Sequence, residues 1–386
     1  VDLDYDLVNE INIPKYRMDK YRNGARIWHI YNDPPIDGVL VSRSLIDPPN
    51  KKSLSMKKKR IIDSGGIKKF LRLPSELLDP KIFQVIGDCG AWQYIDEDQP
   101  PYDPIDTLKF YDELGVDYGV TVDHIAIVRE PVKRMQLTYN NALKSFDYWR
   151  PLYEKGELKF ILLGAVQGIS VDDYISFIEK LHKHGYRHFA LGGLAKRNTI
   201  FIENLIRKLY DLSRHINIEK IHFLGIARPR LASLLTQLID YINEVSFDNA
   251  TYLRIAWSRS VGNYLSINGT FYTAIRIRIG SVKEWEVLDI LHKYDHGEVS
   301  YDDVISVLRE YTSLNGDTRY LPYYARLLKD MPWKKCNCEI CRKIGIDVAI
   351  FRRNDRNRRR GFHNLWIFYK LLKSGAINKI KFSILP

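Results

Sequence analysis

The chain has 386 residues, 45% hydrophobic and 27% charged, which is the balance of a globular protein with core enough for one large α/β domain or two smaller ones. No apolar run approaches the length of a membrane span, no secretory leader is expected, and only four cysteines occur, so a reduced cytoplasmic protein is predicted rather than a membrane protein or a disulfide scaffold. A net charge of +12 makes a polyanion, nucleic acid above all, the default partner.

Residues 1–75 read as a partly basic N-terminal extension. Lys51, Lys52 and the run Lys57-Lys58-Lys59-Arg60 follow Pro48-Pro49; a solvated surface loop is expected there, with phosphate contact as the functional alternative. From about residue 80 a rhythm begins. Short apolar runs rich in β-branched residues, at 83–86, 118–122, 159–163, 188–191, 221–224 and 245–247, end in polar or glycine residues and give way to helix-like stretches. In one of these, 171–184, Ser170 and Asp173 resemble a capping box and Gly185 a stop signal. Six strand-then-helix units predict a parallel sheet. With flanking strands to complete the count, the expected fold is α/β, a (β/α)8 TIM-type barrel over 76–330, with a zinc-binding subdomain and closing helix over 331–386.

Such barrels carry their chemistry at the C-terminal ends of the strands. After successive runs come Gly87-Asp88-Cys89-Gly90-Ala91-Trp92-Gln93, Asp123-His124, Gln167-Gly168, Gly192-Gly193-Leu194-Ala195, Gly225 and Asp248-Asn249. Each has an ordinary reading alone, since an Asp after a strand is often a helix cap and paired glycines are often only a turn. Their coincidence across consecutive units predicts three carboxylates and an amide around one mouth. His124 is expected to be the only histidine near it, and structural.

Near the C-terminus, Cys336-Asn-Cys338-Glu-Ile-Cys341 is followed by His363-Asn364-Leu365. Three thiolates and an imidazole are the count and chemistry of a closed tetrahedral zinc site, and three cysteines within six residues are poorly placed for disulfides. His363 is expected to open a helical run through Leu365, Phe368, Leu371 and Leu372 that ends near Gly375. Between the two halves of this motif, Arg352, Arg353, Arg356, Arg358, Arg359 and Arg360 form a dense cationic run. It reads either as a solvated charged loop or as planar, bidentate phosphate contacts.

The ordered set of landmarks resembles the tRNA-guanine transglycosylase superfamily over roughly residues 80–375. They are Asp88, Gly90, Trp92 and Gln93, then Asp123, Gln167-Gly168, Gly192-Gly193-Leu194-Ala195, Phe247-Asp248 and the C-x-C-x-x-C with its distant His-Asn-Leu. The resemblance implies a base exchange that replaces guanine with a 7-deazaguanine in a nucleic acid. It implies Asp248 as nucleophile on C1′ and Asp88 as proton carrier, because retention at C1′ needs two displacements. Asp123 would accept from the N1–H and 2-amino group of the base. Gln167 and the Gly193 N–H would address its O6 edge, while Trp92 and Leu224 would sandwich the ring.

Departures narrow the resemblance. The bacterial tRNA enzymes carry a Glu after Gly-Gly-Leu-Ala for an aminomethyl substituent, whereas this chain has Lys196-Arg197-Asn198, which implies a neutral 7-cyano base. The Pro-Thr-Arg segment that reads anticodon-loop uridines is replaced after Asp248 by a stretch holding Arg254, Trp257 and Arg259, residues placed to clamp or stack on flanking nucleotides. The chain therefore looks most like the 7-deazaguanine DNA transglycosylases of bacteria, archaea and phages. A guanine inside a duplex hides its glycosidic bond, so the target would be single-stranded or flipped out. Pairing of two copies and a partner ATPase that opens the duplex are further partners the resemblance leaves open. Three other readings compete: a tRNA transglycosylase, a non-catalytic nucleic-acid-binding subunit of the same fold, and an unrelated zinc-stapled hydrolase. The second would be expected to lose the acidic mouth residues, and all three remain; the third lacks a G-x-S-x-G elbow, a P-loop or an H-E-x-x-H.

Overall fold

The computed structural model describes residues 5–6, 11–12, 25–49, 55–226, 228–376 and 379–380; Lys51 and Lys52, and the side chains of Arg353 and Arg356, lie outside the described set. Two compact units are present, residues 36–249 and residues 1–35 with 250–386.

The 36–249 unit is built on a seven-stranded parallel sheet. Its strands are β1 (Gly38–Ser42), β2 (Gln84–Asp88), β3 (Tyr118–Val120), β4 (Ile161–Val166), β5 (His188–Leu191), β6 (Lys220–Phe223) and β7 (Glu244–Phe247). They pair in chain order, which is the strand order of a TIM-type barrel rather than of a doubly wound sheet. Six of the seven match the apolar runs of the sequence. The additional strand, β1, comes from Gly-Val-Leu-Val-Ser in the stretch expected to be an extension. The basic run there is not a loop but part of helix α1 (Ser55–Asp63); Lys57 donates to the Leu45 carbonyl at 3.1 Å and Lys58 pairs with Glu113 at 2.5 Å.

Helices α2 (Pro104–Leu114), α3 (Pro131–Glu154), α4 (Val171–His184), α5 (Thr199–Ser213) and α6 (Ala232–Leu238) return the chain between strands. The ends are set locally. Asp103 caps α2 by accepting from the N–H groups of Ile105 and Asp106, and Ser170 with Asp173 forms the predicted capping box of α4, which stops at Gly185. Two strand glycines let α2 press against the sheet: a Cβ on Gly87 or on Gly119 would stand 2.6 Å from the Tyr111 ring. The Tyr111 hydroxyl then donates to the Val120 carbonyl at 3.0 Å.

Side chains from non-adjacent strands meet inside the sheet, which shows that it curls. Lys220 at the start of β6 donates to Gln84 of β2 at 2.6 Å, pairs with Glu244 of β7, and lies 3.7 Å from the centre of the Tyr118 ring on β3. Above this polar layer, Ile86, Val120, Leu163, Ala165 and Ala190 form an apolar one, with Leu224 against it. Period-two alternation then delivers the next inward side chains to the C-terminal rim.

The second unit contains α7 (Thr251–Ser258), α8 (Glu284–His296), α9 (Tyr301–Leu314), α10 (Leu321–Asp330), α11 (Glu339–Ile344) and α12 (Arg353–Lys373). Helix α12 begins ten residues earlier than its apolar periodicity suggested, because the arginine run itself is helical. No described helix is long and apolar enough to cross a membrane.

Candidate active site and metal centre

Six consecutive strands of the sheet deliver one predicted residue each to the same rim. Asp88 ends β2, Asp123 follows β3, Gln167 follows β4, Gly192 follows β5, Leu224 follows β6 and Asp248 follows β7. Parallel pairing in chain order leaves no other arrangement.

Asp123 and Gln167 form the floor, both fully buried. The Gln167 amide donates to Asp123 Oδ2 at 2.5 Å, and the Cys89 thiol donates to Asp123 Oδ1 at 3.0 Å. Burial pushes the Asp123 carboxyl above the usual carboxylate range, and these two hydrogen bonds work against that shift. Gly192 and Gly193 close the wall. A Cβ on Gly192 would stand 2.2 Å from Gln167 Nε2 and 3.0 Å from Asp123 Oδ2, so only glycine keeps the space above the amide and carboxylate open. Leu194 is buried just behind the paired glycines, and the Tyr174 hydroxyl fixes the turn by donating to the Gly192 carbonyl at 2.7 Å.

Asp88 lies within electrostatic reach of both other carboxylates. Burial raises its carboxyl to about 8, and the negative charges of Asp123 and then Asp248 add to the rise, while the N–H groups of Gly90 and Cys89 lower it. Asp88 Oδ2 accepts from Gly90 N–H at 2.8 Å. A carboxyl held protonated near neutral pH is the state a proton donor requires. Asp248 is anchored differently: its Oδ1 accepts from Gly225 N–H at 2.8 Å.

Trp92 stands on the turn after Asp88, 41% exposed, with the Lys196 ammonium 5.3 Å from the ring centre. The segment 196–198 holds no carboxylate: Arg197 donates to the Gly168 carbonyl at 2.9 Å, and Asn198 caps α5.

Two residues escaped the sequence reading. Cys89 is one, holding Asp123 from a fully buried position. His222 is the other, and it corrects the expectation that His124 is the only histidine near the mouth. His222 is buried on β6, with Nδ1 2.9 Å from Ser246 Oγ and Nε2 3.5 Å from Asp248 Oδ1. The alternation Lys220, His222, Leu224 on the strand marks it as inward-facing. His124 is buried as well, and burial pushes its imidazole down to about 4, so it is neutral.

In the other unit, Cys336, Cys338, Cys341 and His363 are all buried and could hold a metal ion. His363 Nδ1 lies 3.8, 3.4 and 3.3 Å from the three sulfurs in that order. Four ligands at the ~2.0–2.3 Å bond lengths of zinc lie roughly 3.3–3.8 Å apart along the edges of a tetrahedron, so the donor set fits that ion in number, chemistry and spacing. His363 Nε2 donates to the Leu265 carbonyl at 2.7 Å, which fixes the tautomer with the Nδ1 lone pair toward the sulfurs. Asn364 clamps the same segment, accepting from Leu265 N–H at 2.8 Å and donating to the Asn263 carbonyl at 3.0 Å.

The arginine run divides. Arg360 is fully buried and donates to the carbonyls of Ala256, Ile350 and Val348 and to the Asn357 side chain. Arg352 is buried in an ion pair with Glu284, and Arg359 is buried too. These three guanidiniums are therefore part of the fold and not an outer phosphate-binding face, because Arg359 and Arg360 lie on a packed helix and Arg352 is buried just before its start. Arg358 is half-buried, Arg254 on α7 is exposed and Arg259 is half-buried.

No protein-family model matches the chain. A DNA-guanine transglycosylase of Salmonella montevideo is 29% identical over 380 residues, covering 88% of this chain and 86% of that protein. With the ordered landmarks and the acidic rim, this similarity supports a glycosyltransferase that resembles the tRNA-guanine transglycosylase superfamily and, within it, the DNA-modifying branch.

Proposed function

We propose that the protein exchanges guanine in DNA for a 7-deazaguanine, through a covalent aspartyl–glycosyl intermediate. The observation that carries the reading is a cluster of one carboxylate, one amide and paired glycines on the strand-end rim that also carries Asp88 after β2 and Asp248 after β7. The Asp123 carboxylate suits the N1–H and 2-amino donors of a guanine-type base, and the Gln167 amide and Gly193 N–H suit its O6. Trp92 and Leu224 supply the faces of the ring. The target polymer is taken from the similarity to a DNA-guanine transglycosylase.

In the first step an Asp248 oxygen attacks C1′, the C1′–N9 bond breaks, and its electron pair leaves with the base as Asp88 delivers a proton to it. In the second, the incoming base gives its N9 proton to Asp88 and attacks C1′, and the ester electrons return to Asp248. The two half-reactions restore both carboxyl groups, so no oxidant or other co-reactant is needed. The carboxylate-free segment 196–198 supports a neutral substituent, hence the 7-cyano base. Cys336, Cys338, Cys341 and His363 would hold zinc, which contributes fold stability and no reaction step. Arg254 and Arg259, with Arg353, Arg356 and Arg358, remain the candidates for contact with the strand.

The test is incubation with labelled 7-cyano-7-deazaguanine and either single-stranded DNA, duplex DNA or tRNA, followed by digestion to nucleosides and mass spectrometry. Incorporation into DNA is expected. Incorporation into tRNA alone would assign the enzyme to RNA, and none into any of the three would overturn base exchange.

A further inference from the structure

The carboxyl group of Asp248 has two oxygens in unlike surroundings. Oδ1 accepts from Gly225 N–H at 2.8 Å and has His222 Nε2 at 3.5 Å, near it but not hydrogen-bonded to it. Among the described residues Oδ2 has no such partner. The histidine is not a rim residue. It lies one layer below, inside the sheet and nearly inaccessible, directly across from Ser246 in the β6–β7 register. Ser246 Oγ lies 2.9 Å from His222 Nδ1, so both ring nitrogens face groups of β7, one the hydroxyl and one the carboxylate two residues on.

Only one neutral tautomer suits both neighbours. If Nδ1 carried the proton, the lone pair of the buried Nε2 would face a carboxylate oxygen, a repulsive contact between two acceptors. If Ser246 donates its hydroxyl proton to Nδ1, the N–H falls on Nε2, a buried nitrogen without a hydrogen-bond partner among the described residues, and the acceptor nearest to hand is Asp248 Oδ1 at 3.5 Å. From this geometry we infer that His222 is a positioning residue for Asp248: its otherwise unpartnered Nε2–H closes on Oδ1, the oxygen the Gly225 N–H already holds, when the carboxylate is set for reaction, and Oδ2 is left as the oxygen that bonds to C1′. The inference rests on the reading of Asp248 as nucleophile.

The consequence is kinetic. A carboxylate free to turn about its Cβ–Cγ bond presents either oxygen at many angles, and orienting it before reaction removes that disorder from the barrier. When the ester forms, the carboxylate charge disappears and the hold weakens; when the second base attacks, the returning charge meets a donor already in place.

Two measurements test this. In the first, guanine exchange is followed in DNA for the wild type, His222→Phe and His222→Gln. Phenylalanine fills the space without a donor, whereas the glutamine amide reaches about as far as Nε2. His222→Phe is expected to lower kcat at least tenfold with KM for DNA unchanged, and His222→Gln to recover most of the loss. Wild-type kcat in His222→Phe would overturn the inference, as would equal losses in both variants. The second measurement does not need activity: 15N NMR of histidine-labelled protein should show His222 as the Nε2–H tautomer, with its signal displaced in Asp248→Asn. An Nδ1–H tautomer, or a signal indifferent to Asp248→Asn, would overturn it. A wild type that exchanges no base brings down the functional reading alone, and the spectrum still decides the contact.

Discussion

Cys89 Sγ lies 3.0 Å from Asp123 Oδ1 and receives the Tyr94 hydroxyl at 2.8 Å on its other side, so a buried relay runs from tyrosine to thiol to carboxylate. The thiol gives Asp123 a donor from below and leaves its remaining lone pairs for a ligand above. Cys89→Ala should lower kcat/KM for base exchange roughly tenfold, the worth of one hydrogen bond to a charged group at about 1.5 kcal/mol. Cys89→Ser keeps a donor and should stay within a few-fold of the wild type. Equal losses in both variants would mean that the thiol acts by packing alone.

Asp88 makes the enzyme sensitive to pH in a definite direction. Its carboxyl is raised to about 8 in the folded protein, from an ordinary value of 3.8, chiefly by burial. The folded state therefore holds a proton that the unfolded chain has already lost. The resulting stability is complete below about pH 4 and disappears as the pH rises through about 8. Thermal unfolding followed from pH 5 to pH 9 should show Tm falling in the wild type and falling less in Asp88→Asn. In the proposed mechanism the same proton goes to the departing base, so single-turnover base release should decline above about pH 8.

Much of this site was legible in the sequence because barrel topology turns a linear rhythm into a ring. Once strands pair in chain order, the residue after each apolar run must reach the rim, and Asp88, Asp123, Gln167, Gly192 and Asp248 follow from that alone. What this rhythm does not reveal is which side chains meet across strands. Cys89 and His222 act through contacts between β2 and β3 or β6 and β7, and strand register is not written in the local spacing of either residue. Strand β1 was overlooked for another reason: its five residues follow Pro34-Pro35, in a stretch whose composition reads as connecting chain. The arginine run misled in the opposite sense, because charge predicts exposure unless several backbone carbonyls converge on the guanidinium, as they do on Arg360.

Gly192 offers a substitution that fills the space at the floor without removing a polar group. A methyl there would crowd the Gln167 amide at 2.2 Å, too close to be accommodated without moving that side chain. Gly192→Ala should reduce affinity for the free base by at least tenfold, measured by isothermal titration. Its effect on thermal stability should be about 1–3 kcal/mol, the usual cost of overpacking. Unchanged base affinity would place the base elsewhere.

The divided arginine run predicts two separable phenotypes. Arg360→Met leaves three buried carbonyls and the Asn357 side chain without their donor, and should destabilise the protein by on the order of 3 kcal/mol in urea unfolding. Arg358→Met should cost little stability. If Arg358 meets phosphate, its variant should lower DNA affinity and reduce the salt slope by about 1. Equal stability of the two variants would contradict the burial difference described above.

The cysteine–histidine cluster gives the last test, and it separates structural from reactive metal. Four ligand atoms converge and His363 Nε2 is committed to the Leu265 carbonyl, so a bound ion would be fully ligated by protein, with no position for water or substrate. Elemental analysis should find one zinc per chain, and Cys338→Ser should lose most of it. Stripping the metal with a chelator under denaturing conditions should prevent recovery of the native fold until zinc returns. In the native protein, chelation should lower Tm by on the order of 10 °C, because the ion joins the 336–341 loop, α12 and the 263–265 segment through one centre. Any loss of exchange should then track the unfolded fraction. An enzyme that stays folded without metal yet loses exchange would show that the ion takes part in the reaction after all.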